Sequence, residues 1–196
     1  MPNRLRVAAL LLSTVTSLAA LSACSRGHHL ATPLTTTVHA GAADAELARL
    51  RAATRAFQNL DSAVAAGYAR TVADCIVHEH HGAMGYHHLN RAYLTATPVV
   101  ERPQILLYAR TPDSTYRLNG VEFIVPYQLH PRDSTPPVLF GRRLRAEDHL
   151  NYWYLHVWAW SANPDGMFAD FNPTVACPSG GKVYRAFSRD DARPSP

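Results

Sequence analysis

The sequence predicts an α+β fold: an N-terminal helix or helix pair, then a mainly antiparallel sheet, either twisted and open or curled into a small open barrel. Three observations support this. One segment alone carries a strong helical stripe. Most of the later chain breaks into short β-branched and aromatic runs separated by Pro- and Gly-containing turns. Helix and strands are segregated along the chain rather than alternating, which separates α+β from a parallel α/β sheet.

The helical segment is Asp44 to Ala66. Leu47, Leu50, Thr54, Phe57, Leu60 and Val64 recur at three- and four-residue steps and form one stripe. Asp44 can cap its start, and Gly67 can close its end in a left-handed conformation. Asp61 would cap a second short helix if the first breaks near Asn59. Short strands are expected at Met84 to Asn90 and Gln104 to Arg110. A turn at Thr111-Pro112-Asp113-Ser114 leads back through Tyr116 to Val125, predicting an antiparallel hairpin. Four prolines make residues 126–138 a loop or irregular edge, and Val138 to Leu144 a short strand at most. Tyr152 to Trp160 (YWYLHVWAW) is the strongest strand of the chain. After the turn Asn163-Pro164-Asp165-Gly166, Met167 to Phe171 and Lys182 to Phe187 are weaker strand candidates.

The N-terminus has Arg4 and Arg6, then an uncharged apolar run from Val7 to Leu21, then Leu21-Ser22-Ala23-Cys24. Charge, apolar core and small residues in that order meet the requirements of a secretory signal, and the run is short for a membrane span. The Leu-Ser-Ala-Cys segment resembles the lipobox of bacterial lipoproteins. That resemblance implies cleavage before Cys24, lipidation of its thiol, and anchoring to the cell membrane or outer membrane. The expected organisation is a signal peptide over 1–23, a tether over 24–42, one α+β domain over 43–187 and a disordered tail over 188–196. About 170 residues suit a single domain. Export places Cys75 and Cys177 in an oxidising compartment, where an even pair is expected to form a disulfide.

Charge excludes one class of partner. The chain has 19 Lys+Arg against 15 Asp+Glu, with Lys182 the single lysine and no basic run or aromatic–basic interleaving. Nothing in that pattern suits nucleic acid.

Histidine is the anomaly: five of the 11 fall between His78 and His88. The run His78-Glu79-His80-His81-Gly82 lacks the second histidine of HExxH, and its glycines argue against a helix. His78 and His80 form an H-x-H pair, but the carboxylate and second motif of a cupin do not follow. There is no haem-attachment CxxCH, no G-x-S-x-G and no P-loop. His78, His80 and His81 read equally well as a solvated loop. Strand parity nominates a different set. His156 shares a face with Tyr152, Tyr154, Trp158 and Trp160, opposite Trp153, Leu155, Val157 and Ala159. Glu122 lies within Val121 to Val125, and His87 alternates with Leu89. Three polar groups set among apolar neighbours need partners if buried. His87, Glu122 and His156 are therefore expected to converge, with Tyr154 or Trp158 as a wall. They would form either a His₂Glu site for zinc, copper or iron or a hydrogen-bonded core network.

Four segments, MGYHHLN at 84–90, LNGVEFIVP at 118–126, LHVWAW at 155–160 and NPDGMFADFNPTVACP at 163–178, together resemble a group of secreted bacterial proteins to which no activity is assigned. The resemblance implies a shared fold and favours His87 over His88. The expected function is a membrane-tethered domain binding a transition metal or small ligand. A metal-dependent enzyme using the same residues, and a structural or interaction protein of the cell envelope, are the alternatives.

Overall fold

The computed structural model describes residues 34–70, 75–178 and 182–183. Cys24, the signal 1–23 and the tail 188–196 lie outside the described residues. Helix α1 (Leu34–Thr54) continues through a 3-10 turn (Arg55–Gln58) into α2 (Leu60–Ala65). A curled, mainly antiparallel sheet follows and forms a half-barrel, as the α+β reading requires.

Two helical details differ from expectation. The helix begins at Leu34, inside the segment read as tether, rather than at Asp44. Residues 34–43 have no apolar stripe, but a helix nucleated by its packed part extends cheaply past it. The second helix is capped by Asn59, not Asp61: the Asn59 side chain accepts from the Ser62 N–H at 3.1 Å. The break advances the helical phase, so Ala63 is buried in place of Val64, which is exposed. The C-terminal end is as expected. Gly67 has φ +96°, its N–H bonds Val64, and the Tyr68 N–H reaches back to Ala63, a Schellman closure.

The strands are β1 (Ala69–Arg70), β2 (Ile76–His78), β3 (Gly82–Leu89), β4 (Ile105–Arg110), β5 (Tyr116–Pro126), β6 (Val138–Leu139), β7 (Arg142–Arg143), β8 (Arg145–Glu147), β9 (Tyr152–Val157) and β10 (Lys182–Val183). The sheet order is β10-β2-β3-β4-β5-β9-β8, with β1 also on β3. Every pairing is antiparallel except β10 on β2. The β4–β5 hairpin turns where expected, the Ser114 N–H bonding the Thr111 carbonyl at 2.9 Å. The expected strand over Val138 to Leu144 is instead the small pair β6–β7. Met167 to Phe171 is not a strand. Its backbone closes a turn, with the Ala169 N–H on the Gly166 carbonyl, and ties to the Trp158 N–H through Met167. Of the expected Lys182 to Phe187 strand, Lys182–Val183 is described and the rest lies outside the described residues.

The sheet buries both faces. On one, α1, the 3-10 turn and α2 pack Leu47, Leu50 and Ala63 onto Leu106, Tyr108, Val121, Phe123, Leu155 and Val157. Arg51 Nε donates to the Ala159 carbonyl at 2.7 Å, and the Tyr108 hydroxyl donates to the Phe57 carbonyl. The other face carries Ile105, Leu107, Ala109, Ile124, Tyr154 and Trp158, and is covered in part by the segment 161–178 through Val175 and Cys177. Gly82 (φ +82°) admits this segment, because a Cβ there would strike the Asn172 carbonyl. A disulfide between Cys75 and Cys177, Cα atoms 5.6 Å apart, fastens it beside β2, as expected from the paired cysteines.

Candidate metal centre

Alternation places His87 on the loop-covered face of β3, opposite Leu107 of β4. Glu122 lies on the same face of β5, directly across from His156 of β9. Opposite residues on neighbouring antiparallel strands stand within side-chain reach. His87, two strands from Glu122, extends over β4 to meet them. A register shift in the β4–β5 pairing, between Leu107 and Tyr108, sets Val121, Phe123 and Val125 against the helices and turns Glu122 to the other side.

All three predicted residues are buried, at 8, 3 and 2 % exposure for His87, Glu122 and His156. His87 Nε2 is 3.7 Å and His156 Nε2 3.9 Å from Glu122 Oε2. One donor atom from each lies within 4.8 Å of the others. Among the described residues no other set of three His, Cys, Asp or Glu side chains offers donors so close together. The His78–His81 turn makes ring contacts, His78 to His81 at 4.6 Å between centroids, but does not form such a set.

A network needs an imidazole N–H donating to Glu122 at about 2.7–3.2 Å. Both separations exceed that, and both are shorter than the roughly 4.4 Å that two ligands at about 2.0–2.2 Å from one ion can span, so the group could hold a metal. His156 Nε2 is buried and makes no hydrogen bond.

Burial also sets the protonation states. It pushes the Glu122 carboxyl up to about 8, with Glu147 adding to the rise and Arg145 opposing it. It drives His87 down to about 4 against a backbone hydrogen bond at Gly85, with His88 adding to the fall. His156 is held well below its ordinary range by burial, then by His87 and Arg145. Without a metal, burial thus disfavours the charged form of all three groups. Neutral imidazole is the form that ligates a metal, and a cation at the centre would favour the carboxylate over the acid.

The Tyr154 ring lies beside the cluster, 5.7 Å from the His156 ring and edge-on to it. Trp158 shares the face and donates from Nε1 to the Ala169 carbonyl at 2.7 Å, holding the covering segment. Trp160 does not share it. The strand ends at Val157, the alternation holds through Ala159 and breaks at Trp160, whose Nε1 donates to Thr54 Oγ1 on the helix side.

Three residues around the triad were not singled out from sequence. Asp170, buried in the covering segment, is 3.3 Å through Oδ1 from His156 Nδ1 and accepts from the Tyr154 hydroxyl at 3.3 Å. Arg145 is in ion-pair contact with that same Oδ1 and lies over the Tyr154 ring. Glu147 is buried and accepts from the His149 N–H at 3.0 Å. The signal was the alternation Leu144-Arg145-Ala146-Glu147, too short to read as a strand, and an acid flanked by aromatics in Phe168-Ala169-Asp170-Phe171. No protein family, curated protein or solved structure matches the chain.

Proposed function

We propose that this chain is an exported, lipid-anchored protein whose domain binds a divalent transition metal through His87 Nε2, Glu122 and His156 Nε2. The observation that carries the metal reading is the convergence of three buried donors from three strands, at separations too long for hydrogen bonds to Glu122. Two imidazoles and one carboxylate suit zinc, iron or copper. Anchoring rests on the Leu21-Ser22-Ala23-Cys24 segment. Among the described residues no helix is long and apolar enough to cross a membrane.

The test is metal analysis of untagged protein, with Zn²⁺ and Co²⁺ titrations after chelation. One equivalent is expected, falling at least tenfold in affinity in His156→Gln and Glu122→Gln and unchanged in the paired turn variant His80→Gln, His81→Gln. Binding lost only in the turn variant would overturn the reading.

Three protein ligands leave coordination positions open, the arrangement of catalytic rather than closed structural sites, and this favours an enzyme as the second reading. Azide added to the Co²⁺-loaded protein should shift the visible spectrum if an open position is reachable. An unchanged spectrum would mean a closed site and remove the enzyme reading.

A further inference from the structure

We infer that Asp170 is a positioning residue for the metal centre: it receives the Nδ1–H of His156 and so commits that ring to ligate through Nε2. The inference rests on the metal reading above and extends it to the residues behind the ligands.

A ligating imidazole uses one nitrogen and leaves the other carrying a proton. In a buried site that N–H needs an acceptor, because a buried donor left unsatisfied carries its full desolvation penalty. His156 is 2 % exposed, so bulk solvent does not reach it. Its two nitrogens face different groups: Nε2 looks to Glu122 at 3.9 Å and Nδ1 to Asp170 Oδ1 at 3.3 Å. The second separation is within hydrogen-bond reach, although the ring is not aligned for one: Nδ1 and Oδ1 both remain without a hydrogen bond. Ligating histidines nearly always donate their other N–H to a carboxylate or carbonyl, which fixes the tautomer and makes the ligand nitrogen more basic.

Asp170 is itself held. The Arg145 guanidinium contacts Oδ1, the Tyr154 hydroxyl donates to Oδ2, and Arg145 lies 4.9 Å over the Tyr154 ring. Its segment is tied down on both sides. Trp158 bonds Ala169 just before it, and the Ala83–Asn172 bridge and the Cys75–Cys177 bond follow it. A carboxylate fixed so firmly behind one ring has the geometry of an outer-sphere support, while Glu122 supplies the charge at the centre.

The experiment uses the full chain with Co²⁺ and Zn²⁺ as probes. In Zn²⁺-loaded wild type, long-range ¹⁵N NMR should show His156 protonated on Nδ1 and metal-bound on Nε2. The opposite assignment overturns the inference and needs no variant to be made. Asp170→Asn keeps the shape and removes the charge; it should weaken Co²⁺ binding about 10–100-fold and move the visible band. Equal affinity and an identical spectrum in the variant overturn the role of Asp170 while leaving the metal reading intact. If wild type takes up neither ion, the metal reading fails and this inference falls with it.

Discussion

At the residue scale the site is defined by three groups whose charged forms burial opposes in opposite directions. For metal-free protein the consequences for stability can be signed. Glu122 ionises near 4.5 in the unfolded chain and about 8 in the folded one. Between those values the folded state holds a proton that the unfolded state has lost, so this contribution is complete at low pH and disappears as pH rises toward 8. His87 ionises near 6.5 unfolded and about 4 folded, and His156 shifts in the same direction. Between those values the unfolded chain takes up protons that the folded state refuses, so their contribution is lost as pH falls below 6.5. Two groups outweigh one below 6.5, and Glu122 acts alone above it. Chelated protein should therefore be most stable near pH 6.5 and lose on the order of 1–2 kcal/mol by pH 8 from Glu122. Urea unfolding across pH 5–8.5 reads this, and Glu122→Gln should remove the fall on the alkaline side. A decline that persists in the variant would assign it to another group.

At the scale of elements, the disulfide gives the clearest prediction. Cys75 and Cys177 are separated by 102 residues, so their bond closes nearly the whole sheet into one loop of the unfolded chain. Removing it, by reduction or by the double change Cys75→Ser and Cys177→Ser, should lower the unfolding free energy by roughly 4–5 kcal/mol on the chain-entropy model. A loss below about 1 kcal/mol would show that the unfolded chain is already confined. The elements also show where the sequence was legible. Strands β3, β4, β5 and β9 were readable because each is long enough for alternation to separate two buried faces, and the same alternation put His87, Glu122 and His156 together. Strands β1, β2 and β8 have two or three residues each, too few for a period, and β8 took Arg145 and Glu147 with it. Asp170 was hidden for another reason. It lies on a segment fixed by the Trp158 indole, the Ala83 bridge and the disulfide, all contacts distant in sequence that no local pattern encodes. The helix lost its expected phase at Asn59 because one cap and one break redirect every later residue.

For the whole molecule, the cysteines can be accounted for together. The chain has three. Cys75 and Cys177 are bonded to each other, which leaves Cys24 as the odd thiol. In an oxidising compartment an odd cysteine is expected either to be modified or to pair with a second chain. The residues around Cys24 favour modification: an uncharged apolar run precedes it, and Leu21, Ser22 and Ala23 lead directly to it. Several acyl chains on one residue give anchoring that a single chain does not. The prediction is that native protein partitions into the detergent phase and that its N-terminal peptide begins at Cys24 and carries acyl mass. Cys24→Ser should leave a heavier uncleaved precursor or a protein released from membranes, with the Cys75–Cys177 bond and metal stoichiometry unchanged. A cross-linked dimer on a non-reducing gel, lost in Cys24→Ser, would assign the odd thiol to pairing instead. An unmodified Cys24 in the native protein would remove the lipid anchor altogether.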